Sequence, residues 1–295
     1  MKDTLAKLRL VGAMVIFGTI GLFVRFLGLP SGMVAFVRGA VGALVLLLIM
    51  ALLRKRPSLA AVRRNLLPLL VSGAFVGFNW ILLFEAYRYT TVSVATMCYY
   101  MAPIFVVIAA PLLLRERMTA RRLACVVAAL LGMLGVSGLL DNGLPGAQDA
   151  MGILFGLGAA LLYAGVMLLN KRIREIDAYD KTVVQLGAAA VVILPYSLLV
   201  EGGSAFLSLQ WQQVLLLLLV GVIHTGVAYF LYFGAMGRLP AQTTALLSYI
   251  DPAVALLLSV FVLQEGITLD GVIGAVLILG AALVSELPGK EHTKR

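Results

Sequence analysis

The feature that most restricts the fold of this chain is a succession of ten long apolar stretches. Each is close to the ~20 residues that an α-helix needs to cross the hydrocarbon core of a bilayer. The stretches are continuous and do not alternate with polar residues, which disfavours a transmembrane β-barrel. With 62% hydrophobic and 13% charged residues, the chain carries more apolar surface than a water-soluble core could bury. The predicted spans are 8–28, 32–53, 66–87, 91–114, 122–140, 151–169, 181–200, 212–236, 241–263 and 269–287.

The basic residues predict how these spans are oriented. If the N-terminus is cytoplasmic and the loops alternate, 20 of the 23 lysines and arginines fall in cytoplasmic segments, and the other three are Arg25, Arg38 and Arg88. Positive charge near the ends of spans is typical of the cytoplasmic side. Both termini are therefore predicted to be cytoplasmic. The net charge of +9 is explained by topology, so no nucleic-acid partner is expected.

The two halves of the chain carry related sequences. Residues 99–119, YYMAPIFVVIAAPLLLRERMT, match residues 248–268, SYIDPAVALLLSVFVLQEGIT, at a shift of 149 positions without a gap. A weaker match at the start of each half, at a shift of 146, pairs Gly12 with Gly158 and Phe17 with Tyr163. The strong match pairs Tyr100 with Tyr249, Pro103 with Pro252, Glu116 with Glu265 and Thr119 with Thr268.

The second copy is predicted to be inverted relative to the first. Each half has five spans, an odd number, so the second half must enter the membrane from the opposite side. The basic loop residues of the first copy are lost in the second: Arg115, Arg117, Arg121 and Arg122 correspond to Gln264, Gly266, Asp270 and Gly271. Inverted repeats are common in transporters, with the substrate site near the midplane between the halves.

The predicted fold is an all-α membrane protein with ten transmembrane helices in a five-plus-five inverted-topology repeat. Residues 1–140 form the first repeat, 141–150 an external connector, 151–288 the second repeat and 289–295 a cytoplasmic tail.

This organisation resembles the drug/metabolite transporter superfamily, specifically its EamA family. The resemblance rests on the spans, the repeat and the Tyr-x-x-Pro…Glu block in each half, and it covers essentially the whole chain. The first helix departs from the family pattern, because Phe17-Gly18 stands where the family often has Trp-Gly. The resemblance implies a multi-pass protein of a bacterial-type inner membrane. It also implies export of amino acids or other small metabolites by alternating access; efflux of drugs or quaternary ammonium cations is the alternative.

Asp251, next to Pro252 in the ninth predicted span, is a candidate for proton coupling or charge relay. Ionisable groups inside a span are costly and usually functional. A buried carboxylate could bind a proton in one facing state and release it in the other. Alternatively, Asp251 neutralises Arg38 or caps backbone groups freed by Pro252. Its repeat counterpart is Ala102, so the duplication does not itself require a carboxylate at this position.

Two further polar residues lie deep in predicted spans. His224, whose repeat counterpart is Phe75, could bind substrate or relay a proton. A neutral histidine that forms a hydrogen bond across helices is the simpler interpretation. Arg38 lies about 9 Å along its helix from Gly32 and could pair with an anionic group, so it joins the candidates for charge relay.

The outer ends of the spans carry Arg25, Glu85 and Arg88. They could form an outer gate or an anion site. For Arg25 and Arg88 we favour the simpler interpretation, in which long basic side chains reach the membrane interface.

Aromatic and amide side chains inside the spans are candidates for substrate binding. Aromatic residues usually occur at the membrane interface, so rings near the midplane indicate either a cavity wall or helix packing. Tyr100 and Tyr249, which are related by the repeat, are the first choices. The candidates are Asn79, Trp80, Tyr99, Tyr100, Tyr163, His224, Tyr229 and Tyr249.

The sequence also argues against several functions. It has no metal-ligand spacing, and no glycine loop precedes a Lys-Ser or Lys-Thr pair, so neither a metal, nor another cofactor, nor ATP hydrolysis is expected. An enzyme is not expected, because Glu116 and Glu265 are predicted on opposite faces. A channel would need a ring of like charges, which is not evident. The expected partners are a small-molecule substrate, the lipid bilayer and, if Asp251 is a proton site, a coupling proton; the oligomeric state is not predicted.

Overall fold

The computed structural model of the chain describes residues 2–113, 118–139, 145–203, 206, 208–236 and 238–287. Glu116, residues 141–144 of the predicted connector and the predicted tail lie outside these residues. Within them the regular structure is helical, without a β-strand, and helices lie in each of the ten predicted spans. Seven helices are long and apolar enough to cross a membrane, namely Thr4–Leu27, Ser31–Leu52, Leu66–Tyr89, Val92–Leu113, Ala147–Asn170, Ala178–Leu199 and Trp211–Ala235. The prediction of an all-helical protein is confirmed.

Several of the helices that are long enough to cross a membrane are divided into shorter helices. In chain order the helices are α1 (Lys2–Gly18), α2 (Ile20–Leu27), α3 (Ser31–Leu52), α4 (Leu59–Arg64), α5 (Leu66–Tyr89), α6 (Val92–Tyr99), α7 (Ala102–Leu113), α8 (Ala120–Val136), α9 (Ala147–Asn170), α10 (Ala178–Leu199), α11 (Trp211–Leu219), a π-helical segment (Val220–Val227), α12 (Ala228–Met236), α13 (Ala241–Ser248), α14 (Ile250–Phe261) and α15 (Leu269–Glu286).

Proline explains why the predicted fourth and ninth spans are each interrupted. A proline has no N–H to donate to the carbonyl four residues earlier, and its ring clashes with that carbonyl. Pro103 therefore cannot continue the hydrogen bonding of Tyr99, where α6 ends, and Pro252 cannot continue that of Ser248, where α13 ends. The interruptions fall at the repeat-related residues Tyr100 and Tyr249.

The recurring threonine of the repeat begins a helix in both copies. Oγ1 of Thr119 accepts a hydrogen bond from the backbone N–H of Arg122 at 3.3 Å, at the start of α8. Oγ1 of Thr268 accepts from Gly271 at 3.1 Å, at the start of α15. An N-cap threonine satisfies an otherwise free backbone donor, so the repeated Glu-x-x-Thr pattern includes a helix-start signal.

Helices of the first half contact the second half in the same way as the corresponding helices of the second half contact the first. Helices α5, α6 and α7 of the first half pack on α9 of the second half. In the same way, α12, α13 and α14 of the second half pack on α1 of the first half. Helix α10 packs on α5 as the π-helical segment packs on α3. Two pairs join equivalent helices directly, α3 with α10 and α8 with α15, and α6 of the fourth predicted span packs on α14 of the ninth. Each half therefore contributes the same set of surfaces to the centre.

The outer surface of this bundle is apolar. Leu112, Leu199 and Leu269 are 84%, 84% and 75% exposed. Exposed leucines in this number are unfavourable in water and expected in lipid. Within the bundle, α8 and α15 approach closely at Gly132 and Gly274, where a Cβ on either glycine would collide with the carbonyl oxygen of the other. Small residues permit such close approach between membrane helices.

Candidate functional site

The two interrupted helices bring Tyr100, Tyr249 and Asp251 together. The hydroxyl of Tyr100 donates to Oδ2 of Asp251 at 2.9 Å. The rings of Tyr100 and Tyr249 lie 6.1 Å apart, centroid to centroid. All three side chains are partly accessible rather than buried. The pair predicted from the repeat is therefore in contact, and a hydrogen bond links the first half of the chain to the carboxylate of the second.

Two more predicted tyrosines extend this group. The ring of Tyr99 lies 6.2 Å from that of Tyr100 and stacks on Tyr163 at 5.3 Å. Tyr163 is 38% exposed. Tyr99, Tyr100, Tyr163 and Tyr249 thus form a continuous aromatic wall, which we call the tyrosine cluster.

Arg38 is buried in the adjoining part of the core. Its Nε donates to Oγ1 of Thr225 at 3.0 Å, and its guanidinium lies 4.2 Å from the ring centroid of Trp80. Stacking on an aromatic face stabilises a buried guanidinium. Within the described part of the chain, Arg38 and Asp251 form no ion pair. The two opposite charges at the centre are therefore not joined by a direct contact between described atoms.

His224 lies in the π-helical segment and faces the break between α1 and α2. Its Nε2 is 2.8 Å from Oγ1 of Thr19, and its ring lies 4.8 Å from the ring of Phe23. The hydroxyl of Thr19 donates its one proton to the carbonyl of Ile16 at 2.7 Å. Nε2 of His224 is therefore assigned as the donor to Oγ1 of Thr19. This is the hydrogen bond across helices that the sequence favoured as the simpler interpretation.

The remaining two predicted residues contribute more to packing. Nδ2 of Asn79 donates to the carbonyl of Ala159 at 2.6 Å, which fixes α5 to α9. The ring of Tyr229 stacks on Phe233 at 5.7 Å and lies 5.3 Å from Phe17. Both lie beside the centre, and their hydrogen bonds or ring contacts hold neighbouring helices in place.

Gly18 allows the first helix to reach this site. A Cβ at Gly18 would lie 2.5 Å from the carbonyl oxygen of Asp251 and 2.7 Å from Cβ of Val254. No side chain fits at this distance, so only glycine permits α1 to cross α14 beside Asp251. The Phe17-Gly18 pair, which departs from the family pattern at its first residue, keeps the glycine that this crossing requires.

The outer ends of the helices, meaning the ends predicted to lie outside, are joined by Glu265. Its Oε1 accepts from Nη2 of Arg25 at 2.8 Å, and its Oε2 accepts from the backbone N–H of Val92 at 2.8 Å and from the hydroxyl of Ser259. Ser93 donates to Oγ of Ser259 at 2.6 Å. One carboxylate thus connects α2, α6 and the end of α14.

A second outer carboxylate, Glu201, holds the start of α3. It accepts from the backbone N–H of Gly32 at 2.7 Å and of Met33 at 2.9 Å. Pro30, at the N-cap, offers no side-chain acceptor, so Glu201 supplies one from a distant part of the chain. Partial burial raises the pKa of Glu201, and the two backbone hydrogen bonds oppose that rise in part.

Comparison with known proteins places this architecture in a family. The model of the EamA-like transporter family matches residues 5–138 and again residues 150–286. This chain belongs to the EamA-like transporter family. It is a multi-pass membrane protein, and it is 31% identical to the uncharacterized transporter YxxF of Bacillus subtilis over 86% of this chain and 80% of that protein.

Other relatives of this EamA-like transporter match different shares of its length. An uncharacterized transporter of Archaeoglobus fulgidus is 31% identical over 92% of both chains. A probable amino-acid metabolite efflux pump of Salmonella typhimurium is 28% identical over 58% of this chain and 59% of that protein. A solved crystal structure matches with a TM-score of 0.66, covering 95% of this chain and 96% of the other at 21% identity, which shows a shared fold.

Some residues at the centre of this EamA-like transporter were not predicted from its sequence. Thr19 and Thr225 bind the side chains of His224 and Arg38, but threonine is common in membrane helices and gives little signal alone. Ser259 was missed for the same reason. The described ranges contain no group of three or more His, Cys, Asp or Glu side chains that could hold a metal ion.

Proposed function

We propose that this chain is a secondary transporter that exports small metabolites, most plausibly amino acids or related compounds, by alternating access around the tyrosine cluster. The observation that carries the proposal is the hydrogen bond between Tyr100 and Asp251 at the two helix breaks. It joins the two halves at the point where each helix is interrupted and where side chains are partly accessible. Interrupted helices near a repeat interface are typical of substrate sites in transporters.

The separated charges favour a zwitterionic substrate. A guanidinium binds a carboxylate through two parallel hydrogen bonds, so Arg38 suits the acidic end of an amino acid. Asp251 and the tyrosine hydroxyls suit an ammonium group. Because Arg38 and Asp251 form no direct ion pair among the described residues, each can bind one end of the substrate. The similarity to a probable amino-acid metabolite efflux pump supports the same class.

The ten-span inverted repeat belongs to this proposal. Reciprocal helix contacts and two separate family matches support two equivalent halves, assigned to residues 1–140 and 151–288. Five spans per half would place the halves in opposite orientations, with both termini in the cytoplasm of a bacterial-type cell and the spans in its inner membrane. Labelling of single cysteines at positions 116 and 265 with an impermeant reagent tests this topology. Modification of both from the same side would reject it.

Export of a lipophilic or quaternary ammonium cation is the second candidate. Stacked tyrosine rings with a nearby carboxylate form a cage that attracts cations, and the tyrosine cluster with Asp251 has this composition. The buried charge of Arg38 opposes it. Competition separates the two functions, since amino acids and lipophilic cations should not displace the same labelled substrate equally.

The decisive experiment is thermal unfolding of the purified protein across a panel of amino acids and cations. A ligand that binds only the folded state raises the unfolding temperature, and the increase grows with concentration. We expect stabilisation by amino acids that is lost in Tyr100→Phe and Asp251→Asn but kept in Glu175→Gln, an exposed loop variant. Stabilisation by cations alone would favour the second candidate. Counterflow in proteoliposomes then shows whether the stabilising compound is transported.

A further inference from the structure

An open pocket of about 450 Å³ lies at the outer ends of the helices, beside the ion pair of Arg25 and Glu265. Its charged lining residues are Arg25, Arg88, Asp149 and Glu265. The pocket is separate from the tyrosine cluster, none of whose members lines it. It therefore needs its own explanation.

In their hydrogen bonds to described residues, Arg25 and Arg88 each use only one guanidinium nitrogen. Nη2 of Arg25 donates to Glu265 at 2.8 Å and to the carbonyl of Thr90 at 2.7 Å. Nη1 of Arg88 donates to Glu85 at 3.0 Å. Considering only the residues that the structure describes, the other nitrogens of each guanidinium have no hydrogen-bond partner. Each arginine therefore keeps donors that could bind a second carboxylate.

Asp149 supplies the opposite charge on the same pocket. Its side chain is exposed, and among the described residues it has neither a hydrogen-bond nor an ion-pair partner. Two guanidiniums with unused donors and one unpaired carboxylate match the charges of a zwitterion. The volume exceeds what a small amino acid needs, so water can fill the remainder.

We propose that this pocket is a second, outer site, which binds the carboxylate of an α-amino acid at Arg25 and Arg88 and its ammonium group at Asp149. The choice of ligand rests on the proposed function. Because Arg25 also binds Glu265, the carboxylate of the ligand competes with Glu265 for one guanidinium. Occupancy therefore weakens the contact between α2 and the end of α14 at the outer face.

The test measures protection of a cysteine placed in the pocket. Leu263 lines the pocket and is half-buried, so Leu263→Cys is introduced after the buried Cys98 and Cys125 are replaced by alanine. The purified full-length protein is treated with a hydrophilic maleimide in glycine, acetate or ethylamine at equal ionic strength. At ten times its half-saturating concentration, glycine should slow modification about tenfold, because only the free fraction reacts. Acetate should protect at higher concentrations, and ethylamine least.

Variants identify the binding groups. Arg88→Gln and Asp149→Asn should each raise the half-saturating concentration of glycine about tenfold, the loss expected for one charge-assisted hydrogen bond. Arg172→Gln, an equally exposed arginine in a predicted cytoplasmic loop, should leave it unchanged. Absence of protection, or protection unaffected by both pocket variants, would overturn the outer site.

Two further measurements keep the result decisive. If the cysteine-replaced protein does not fold, thermal stabilisation by glycine of the wild type, Arg88→Gln and Asp149→Asn provides the same comparison, with the same outcomes. Transport of glycine is measured separately. Protection without transport would reject the proposed function alone, and transport without protection would reject the outer site alone.

Discussion

The two repeats place different side chains at equivalent points around the centre. On one side, Thr19 binds His224, and Asp251 binds Tyr100. At the related positions, with shifts of 146 for the first residue and 149 for the other two, the chain has Gly165, Phe75 and Ala102. The helix breaks at Tyr100 and Tyr249 are common to both repeats, whereas the break at Thr19, the π-helical segment and these polar groups occur on one side only.

This difference distinguishes the helix packing, which both repeats have, from the polar side chains, which only one of the two equivalent positions carries. In the apolar copy, Gly165 lies beneath the ring of Phe75, where a Cβ would be 2.7 Å from two ring carbons. In one copy this crossing is a steric fit between Gly165 and the ring of Phe75. In the other copy it is a hydrogen bond between Thr19 and His224. Since the architecture forms with either, it does not demand the polar set. Polar and ionisable groups inside membrane spans are costly, so the presence of this set on one side supports the proposed function.

The largest expected effect follows from removing the polar set. Asp251→Asn combined with His224→Gln should abolish any effect of a pH gradient on transport and reduce the rate about tenfold or more, because removing a functional ionisable group within a span disables the site. The measurement is substrate counterflow in proteoliposomes with and without a pH gradient. The exposed variant Glu175→Gln is the control.

Coupling to the gradient that persists in the double variant would exclude both residues from proton coupling. The difference between the repeats would then have no role in transport. Asp251 and His224 would serve helix packing only, as Ala102 and Phe75 do at the related positions.

Glycine substitutions test the steric part of the comparison. Gly18→Ala should lower the free energy of unfolding by about 2 kcal/mol, because its Cβ would meet backbone that cannot move aside. At Gly165 the obstacle is a phenyl ring that can rotate, and alanine also favours the helix interior by about 1 kcal/mol. Gly165→Ala should therefore be nearly neutral. Thermal unfolding of both variants in detergent checks this, and equal losses would contradict it.

Much of the fold could be predicted, because it follows from local chemistry. Long apolar stretches predicted a helix in each of the ten spans. The repeat predicted Tyr100 and Tyr249 as the first candidates for substrate binding, but it did not predict that their rings are in contact. The interruptions were missed, although Pro103 and Pro252 lie four residues after the ends of α6 and α13. The hydropathy pattern is continuous there, so only the missing N–H of each proline reveals the break.

The contacts that define the site could not be predicted in the same way. Thr19 and His224 are 205 positions apart, and Arg38 and Thr225 are 187 apart. Their pairing depends on how α1, α3 and the π-helical segment cross, which no local pattern encodes. The first predicted span begins at residue 8, whereas α1 begins at Lys2, because the apolar pattern ends at the charged residues while helical hydrogen bonding continues.

A smaller effect is expected from the hydrogen bond on the polar side. Thr19→Val keeps the shape of the side chain but leaves Nε2–H of His224 without its acceptor. The cost should be about 1 kcal/mol in the free energy of unfolding. Thr182→Val is the matched control, since the hydroxyl of Thr182 donates to the carbonyl of Ala178 in its own helix and has no other hydrogen bond to a described residue. Chemical denaturation measures both, and a greater loss in the control would contradict the expectation.

The smallest effect concerns the helix starts of the same two repeats. Helix α10 is capped by its own Asp177, which accepts from Tyr179 at 2.8 Å, whereas α3 has Pro30 at that point and relies on Glu201. Burial raises the pKa of Glu201 above its ordinary value of 4.5. A raised folded-state pKa means that the group's contribution to stability is present below pH 4.5 and is lost as the pH rises through the folded value. Glu201→Gln does not titrate. Its unfolding temperature relative to the wild type should therefore increase as the pH rises from about 4.5 towards neutrality. Thermal unfolding across this range measures the difference, and parallel curves for the two proteins would show that the remote cap of α3 does not respond to pH.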